Sequence, residues 1–152
     1  MTKPRLRLFT LVLLLVAFGA SASAQQARRY IEPRTPAEAG PPFSGAVLVG
    51  DTLYLSGNIG IDANQKVPDT AEAEATAVLT SIKATLEKAG MTMDDLVSVQ
   101  IFCPDVANYA AFNKVYRTFF TKEFPARAFI GSGPLLFDAR FEVQGIAVRR
   151  PS

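Results

Sequence analysis

The sequence predicts an α+β fold: one β-sheet with two helices packed on one of its faces. Two observations carry this expectation. Five short runs rich in β-branched and aromatic residues are interleaved with two longer helical patterns, in the order β-β-α-β-α-β-β. Several of the short runs are also apolar at both strand parities, so the sheet they build needs cover on both sides. A chain of 152 residues, 49% of them hydrophobic, suffices for one such domain and is short for two.

The first segment reads as an address. Lys3, Arg5 and Arg7 precede an apolar run from Leu8 to Phe18, and Ala22-Ser23-Ala24 matches the small-residue pattern cleaved by signal peptidase. The run is short for a membrane span. Residues 1–24 are therefore expected to be a signal peptide, giving an exported protein, periplasmic or secreted, with no stable membrane anchor after cleavage. Residues 25–39 are polar and proline-rich and read as an extended arm, and residues 40–150 as the folded domain.

Within the domain, Ala46–Val49 and Thr52–Ile59 are short strands joined at Gly50-Asp51, a hairpin signal. After a polar loop, Ala75, Val78, Leu79, Ile82, Leu86 and Ala89 recur at helical spacing. Asp69 is positioned to cap that helix with Glu72 three residues on, and Gly90 to close it. Leu96–Cys103 alternates and stops at Pro104, as a strand should. The second helix begins near Asn108 and carries Tyr109, Phe112, Tyr116, Phe119 and Phe120 on one face. Ala126–Ile130 and Phe141–Val148 complete the strands. Cys103 shares parity with Val97, Val99 and Ile101, and reads as a buried small hydrophobe rather than a reactive thiol.

Two helices of this length shield one face of the sheet only. The apolar second face points to another copy of the chain.

Composition narrows the chemistry. The chain has no histidine and one cysteine, which leaves no His-based triad, Cys–His dyad or intramolecular disulfide. No metal site and no cofactor are expected. Loss of residues 1–24 leaves 13 basic against 14 acidic residues, and a near-neutral domain has no field to attract nucleic acid. Arg28–Arg29 and Arg149–Arg150 read as solvated charge near the mature termini.

Several stretches then resemble the RidA/YjgF family: Pro42-Phe43-Ser44-Gly45-Ala46-Val47, Thr52-Leu53-Tyr54-Leu55-Ser56-Gly57-Asn58-Ile59, and Phe112-Asn113-Lys114-Val115-Tyr116 with Phe119-Phe120. Phe124-Pro125-Ala126-Arg127 and Glu142-Val143-Gln144-Gly145-Ile146-Ala147-Val148 continue the match. It is collinear from about residue 40 to 150. The resemblance implies a chorismate-mutase-like fold, a homotrimer with ligand clefts between subunits, and hydrolysis of reactive enamines and imines to 2-keto acids and ammonia. It implies that Arg127 grips a substrate carboxylate, that Glu142 orients water and moves its proton, and that Ser56, Gly57 and Asn113 line the cleft. Two cleft positions depart from the common pattern: Phe43 stands where a tyrosine is usual, and Phe129 where a cysteine is frequent. Both changes make the cleft more apolar.

The residues alone leave a plainer reading, in which Arg127 and Glu142 form a cross-strand ion pair. At the level of function, the alternative is a non-catalytic exported module that binds a small carboxylate metabolite, such as a keto acid, or a partner protein.

Overall fold

The computed structural model describes residues 27–62 and 64–150; residues 1–24, expected to be a signal peptide, lie outside them. Six strands form one sheet in the order β1-β2-β3-β6-β4-β5. They are β1 (Arg28–Ile31), β2 (Ala46–Val49), β3 (Thr52–Ile59), β4 (Leu96–Cys103), β5 (Ala126–Gly131) and β6 (Glu142–Val148). Helices α1 (Ala71–Lys88) and α2 (Tyr109–Tyr116) pack side by side on one face. All pairings are antiparallel except β4 with β5, which α2 connects as a parallel crossover.

The five strands read from the sequence are present to within a residue. β1 is an addition. Arg28–Ile31 lies in the segment read as an arm, and its polar residues give no alternation. It becomes a strand because the edge of β2 supplies partners, with Arg28 opposite Val49 and Ile31 opposite Ala46.

α1 starts one residue later than expected. Thr70 caps it, its hydroxyl accepting from Ala73 N at 3.2 Å, and Asp69 instead offers its carbonyl to Arg140. At the other end Gly90 adopts φ 74°, Gly90 N donates to Glu87 O, and Met91 N donates to Leu86 O, both at 2.9 Å. Of the four arginines read as solvated charge, Arg28 is exposed, and the other three serve this terminus and its neighbour. Arg29 donates to Ala89 O at 2.9 Å, and Arg149 to Gly90 O and Ala89 O at 3.0 and 3.1 Å. Arg150 bonds Asp94 O and lies 3.7 Å from Asp95 Oδ1. Carbonyls at a helix C-terminus carry partial negative charge, so cations collect there.

α2 ends earlier than its aromatic stripe suggests. After Tyr116 the chain tightens into a 3₁₀ turn, and Thr121 and Lys122 donate to the Asp94 carboxylate. These bonds, led by that of the Thr121 hydroxyl, hold the Asp94 carboxyl below its usual range.

The core lies between helices and sheet, where Phe112, Phe141, Leu53, Leu79, Ile82, Leu86 and Ile101 are fully buried. Cys103 is buried there as expected, and burial pushes its thiol up. The opposite face carries Tyr54, half exposed, with Ile146 and a Gln144–Gln100 hydrogen bond of 2.6 Å. No element of the described chain covers it.

Candidate active site

The expected site residues fall into two groups, one around Glu142 and one around Arg127. The first is built by an irregularity in β3. Leu55 lies opposite Gly145 of β6, but Asn58 lies opposite Val143, so β3 has three steps where β6 has two. This bulge, at Ser56–Gly57, bends the strand and reverses its side-chain parity. Ser56 Oγ donates to Ser44 O at 2.6 Å, and Asn58 turns to the helix side to accept from Ser81 Oγ at 3.0 Å. The Glu142 carboxylate lies against Gly57, where any Cβ would collide with it, so only glycine admits the carboxylate there. Ser56, Gly57 and half-exposed Phe43 line an adjoining hollow of about 400 Å³, with Arg34 on its wall.

The second group is on β5 and α2. Arg127 pairs in register with Val99, a buried residue of the helix-facing side, so its side chain leaves the sheet toward α2. Its guanidinium carbon sits 4.7 Å from the ring centroid of Tyr116 and 5.8 Å from that of Tyr109. Ring contact of this kind holds the cation without a hydrogen bond. Its N–H donors, which recognise carboxylates in pairs, enter no ion pair among the described residues. Tyr116 is 4% exposed, and burial pushes its phenol up to about 12 despite the nearby Arg127 charge. Asn113, both tyrosines, Phe124 and Arg127 line a hollow of about 210 Å³. Phe129 stands edge-on to Tyr109, with centroids 5.0 Å apart, and packs against Phe112.

These groups lie on opposite faces of the sheet. Glu142 pairs with Phe102, whereas Arg127 pairs with Val99, three residues away and therefore of opposite parity. The cross-strand ion pair that the residues alone allow is thus excluded by register. Ion pairs among the described residues involve neither side chain. One chain brings Phe43, Ser56, Gly57 and Glu142 together, and Arg127, Asn113 and Phe129 together, but does not unite the two sets.

The model of the family described as Endoribonuclease L-PSP matches residues 34–149. The chain belongs to the RidA/YjgF family. Among relatives of this RidA-family chain, the 2-iminobutanoate/2-iminopropanoate deaminase of Dermatophagoides farinae is 40% identical over 109 residues, 70% of this chain and 85% of that one. The Escherichia coli protein of the same name is 35% identical, over 76% and 92% of the two chains. The crystal structure of RidA from Psychrobacter superposes with a TM-score of 0.71 at 30% identity, covering 80% of this chain and 99% of that one. E. coli TdcF, solved with bound serine, gives 0.72 at 28%, with the same coverage.

Three residues at this RidA-like site were not singled out from the sequence as site residues. Tyr109 and Tyr116 read there only as an apolar helix face, and Phe124 only as part of a matching stretch. Their spacing fits core packing as well as it fits ring contact with an arginine, so no local signal separates the two.

Proposed function

We propose that this protein is a hydrolytic deaminase of reactive enamines and imines, producing 2-keto acids and ammonia. The observation that carries the reading is Arg127, a cation braced by two tyrosine faces and unpaired with any carboxylate among the described residues. The names of relatives 35–40% identical support it.

In this reading the substrate carboxylate takes the in-plane donors of Arg127. An enamine gains a proton at its terminal carbon and becomes an imine, whose C=N carbon is electrophilic. Water adds to that carbon, the nitrogen gains a proton, and the C–N bond breaks with release of ammonia. Glu142 is the group assigned to orient the water and carry its proton, acting as general base and then acid. Arg127 fixes the electrophile, so attack becomes effectively intramolecular.

The reading requires both half-sites in one cleft, and the opposite-face arrangement within a chain is resolved if the Arg127 half of one copy meets the Glu142 half of the next. The uncovered sheet face supports a homotrimer with that face turned inward. Export is proposed as well, on the segment 1–24, and intact mass of the recovered protein checks it: a chain beginning at Gln25 is expected, and an uncleaved one contradicts it.

The deaminase is tested by generating imines in situ with an amino-acid oxidase and following their loss. Acceleration is expected, with Glu142→Gln lowering kcat at least ~100-fold and Arg127→Ala lowering kcat/KM by about as much. Full imine hydrolysis by either variant contradicts the assigned roles. The absence of any acceleration, together with keto-acid binding by calorimetry, favours the carboxylate-binding module instead. A ribonuclease is not favoured, because the chain has no histidine and the domain no excess positive charge.

A further inference from the structure

The hollow beside Arg127 is larger and more aromatic than a three- or four-carbon imino acid requires. Its volume is about 210 Å³, while a dry cavity of roughly 150 Å³ accepts a benzene ring. Its walls are ring faces. Tyr109 and Phe124 are 48% and 52% exposed in the single chain, so their ring faces are available both to a ligand and to the neighbouring copy that completes the cleft. Both are held by neighbours. Tyr109 meets the edge of Phe129 at 5.0 Å, and Phe124 is stacked on Tyr116 at 6.1 Å and crosses Phe120 at 5.5 Å. A ligand ring would therefore meet surfaces already ordered, at little cost in side-chain freedom. Arg127 sits at the same hollow with its carboxylate-binding edge unused by any ion pair among the described residues.

We propose that this hollow is a side-chain subsite that makes 2-imino acids bearing an aryl group, and the corresponding 2-keto acids, the preferred ligands, with Tyr109 and Phe124 as its specificity-determining walls. The proposal rests on the reading of Arg127 as the carboxylate anchor. An aryl ring three bonds from the anchored carboxylate carbon reaches the adjoining rings, where offset or edge-on contact adds to apolar burial. Arg117, also at the hollow, raises a rival: a second anionic group on the ligand. Its guanidinium lies over the Phe124 ring at 5.8 Å, a contact that leaves its N–H donors free just as the tyrosine rings leave those of Arg127, so a dicarboxylate enters the test.

Calorimetry on the purified protein with phenylpyruvate, pyruvate and 2-oxoglutarate decides between them. Phenylpyruvate is expected to bind at least tenfold more tightly than either of the others, and Phe124→Ala or Tyr109→Ala to reduce that preference to below threefold. A wild-type preference under tenfold overturns the proposal, as does tighter binding of 2-oxoglutarate or a preference that survives both substitutions. Both side chains are half exposed, so the variants are expected to fold, and circular dichroism checks this. The wild-type comparison stands without them. Hydrolysis of the alanine-derived imine is measured in parallel. Acceleration there with a flat ligand series leaves the deaminase standing and removes the aryl subsite. No acceleration with a strong phenylpyruvate preference does the reverse.

Discussion

Tyr116 combines three properties that rarely meet in one side chain. Its hydroxyl is buried and has no hydrogen-bond partner among the described residues, its ring supports Arg127, and burial pushes its phenol up to about 12. A buried hydroxyl without a partner loses its hydration and gains nothing in return. Tyr116→Phe keeps the ring, so stability in urea is expected to be unchanged or to rise by about 1 kcal/mol. The pH dependence has a definite sign. From pH 10 upward the unfolded chain releases this proton, whereas the folded chain holds it to about pH 12. The unfolded state then binds fewer protons, so wild-type stability falls across pH 10–12. Tyr116→Phe loses that contribution, and its advantage over wild type should widen across the same window. A constant difference would show that the phenol is not buried as described.

Among the elements, the connection from β5 to β6 depends on one carboxylate of α1. Glu74 is fully buried in the first turns of the helix. It accepts from Arg140 N at 2.7 Å, Phe141 N at 3.0 Å and Arg140 Nη1 at 2.9 Å, while Arg140 also donates to Pro68 O and Asp69 O. These bonds hold a connection that includes Phe137 and Asp138 at positive φ, and they set where β6, and so Glu142, begins. Glu74 is buried but Arg140 is 34% exposed and can rehydrate, so the loss is mainly that of charge-assisted hydrogen bonds. Glu74→Gln is expected to cost about 2–3 kcal/mol, read from the urea midpoint. Glu87→Gln, which breaks only the exposed pair with Lys83, should stay within about 0.5 kcal/mol. Equal effects would mean that Glu74 is not the clamp. This contrast also marks what the sequence made legible. Five of the six strands and both helices were readable because their periodicity is local, and Gly90 because a left-handed C′ position favours glycine. Glu74 reads as an ordinary acidic residue near a helix start, because its partners come from 66 positions away. β1 was hidden for a similar reason, since the hydrogen bonds that make it a strand belong to β2. At the site, residue types were legible from family-like stretches. Their placement on opposite faces was not, because parity within a strand does not say which face it shares with another.

At the scale of the molecule, helices cover one side of the sheet and no described element covers the other, whereas its doubly apolar strands call for cover on both. The uncovered face is not uniformly greasy: Gln100 and Gln144 bond across its middle, flanked by Tyr54 and Ile146. Such a polar centre costs little only if its hydrogen bonds stay satisfied when the face is buried, and it can select one docking register over others. This fits a closed assembly better than indiscriminate association.

The separation of Arg127 from Glu142 by the thickness of a sheet has a genetic consequence. If each cleft takes its arginine from one subunit and its glutamate from the next, two inactive alleles can complement. Arg127→Ala chains keep a sound glutamate half, and Glu142→Gln chains a sound arginine half. Refolded together in equal amounts into trimers, verified by mass in solution, they should regain about a quarter of wild-type activity, the fraction of interfaces that pair two sound halves. Each variant alone stays inactive. A mixture that remains dead would mean that every chain must work with its own arginine. A defect in one copy would then never be masked by a different defect in its neighbour.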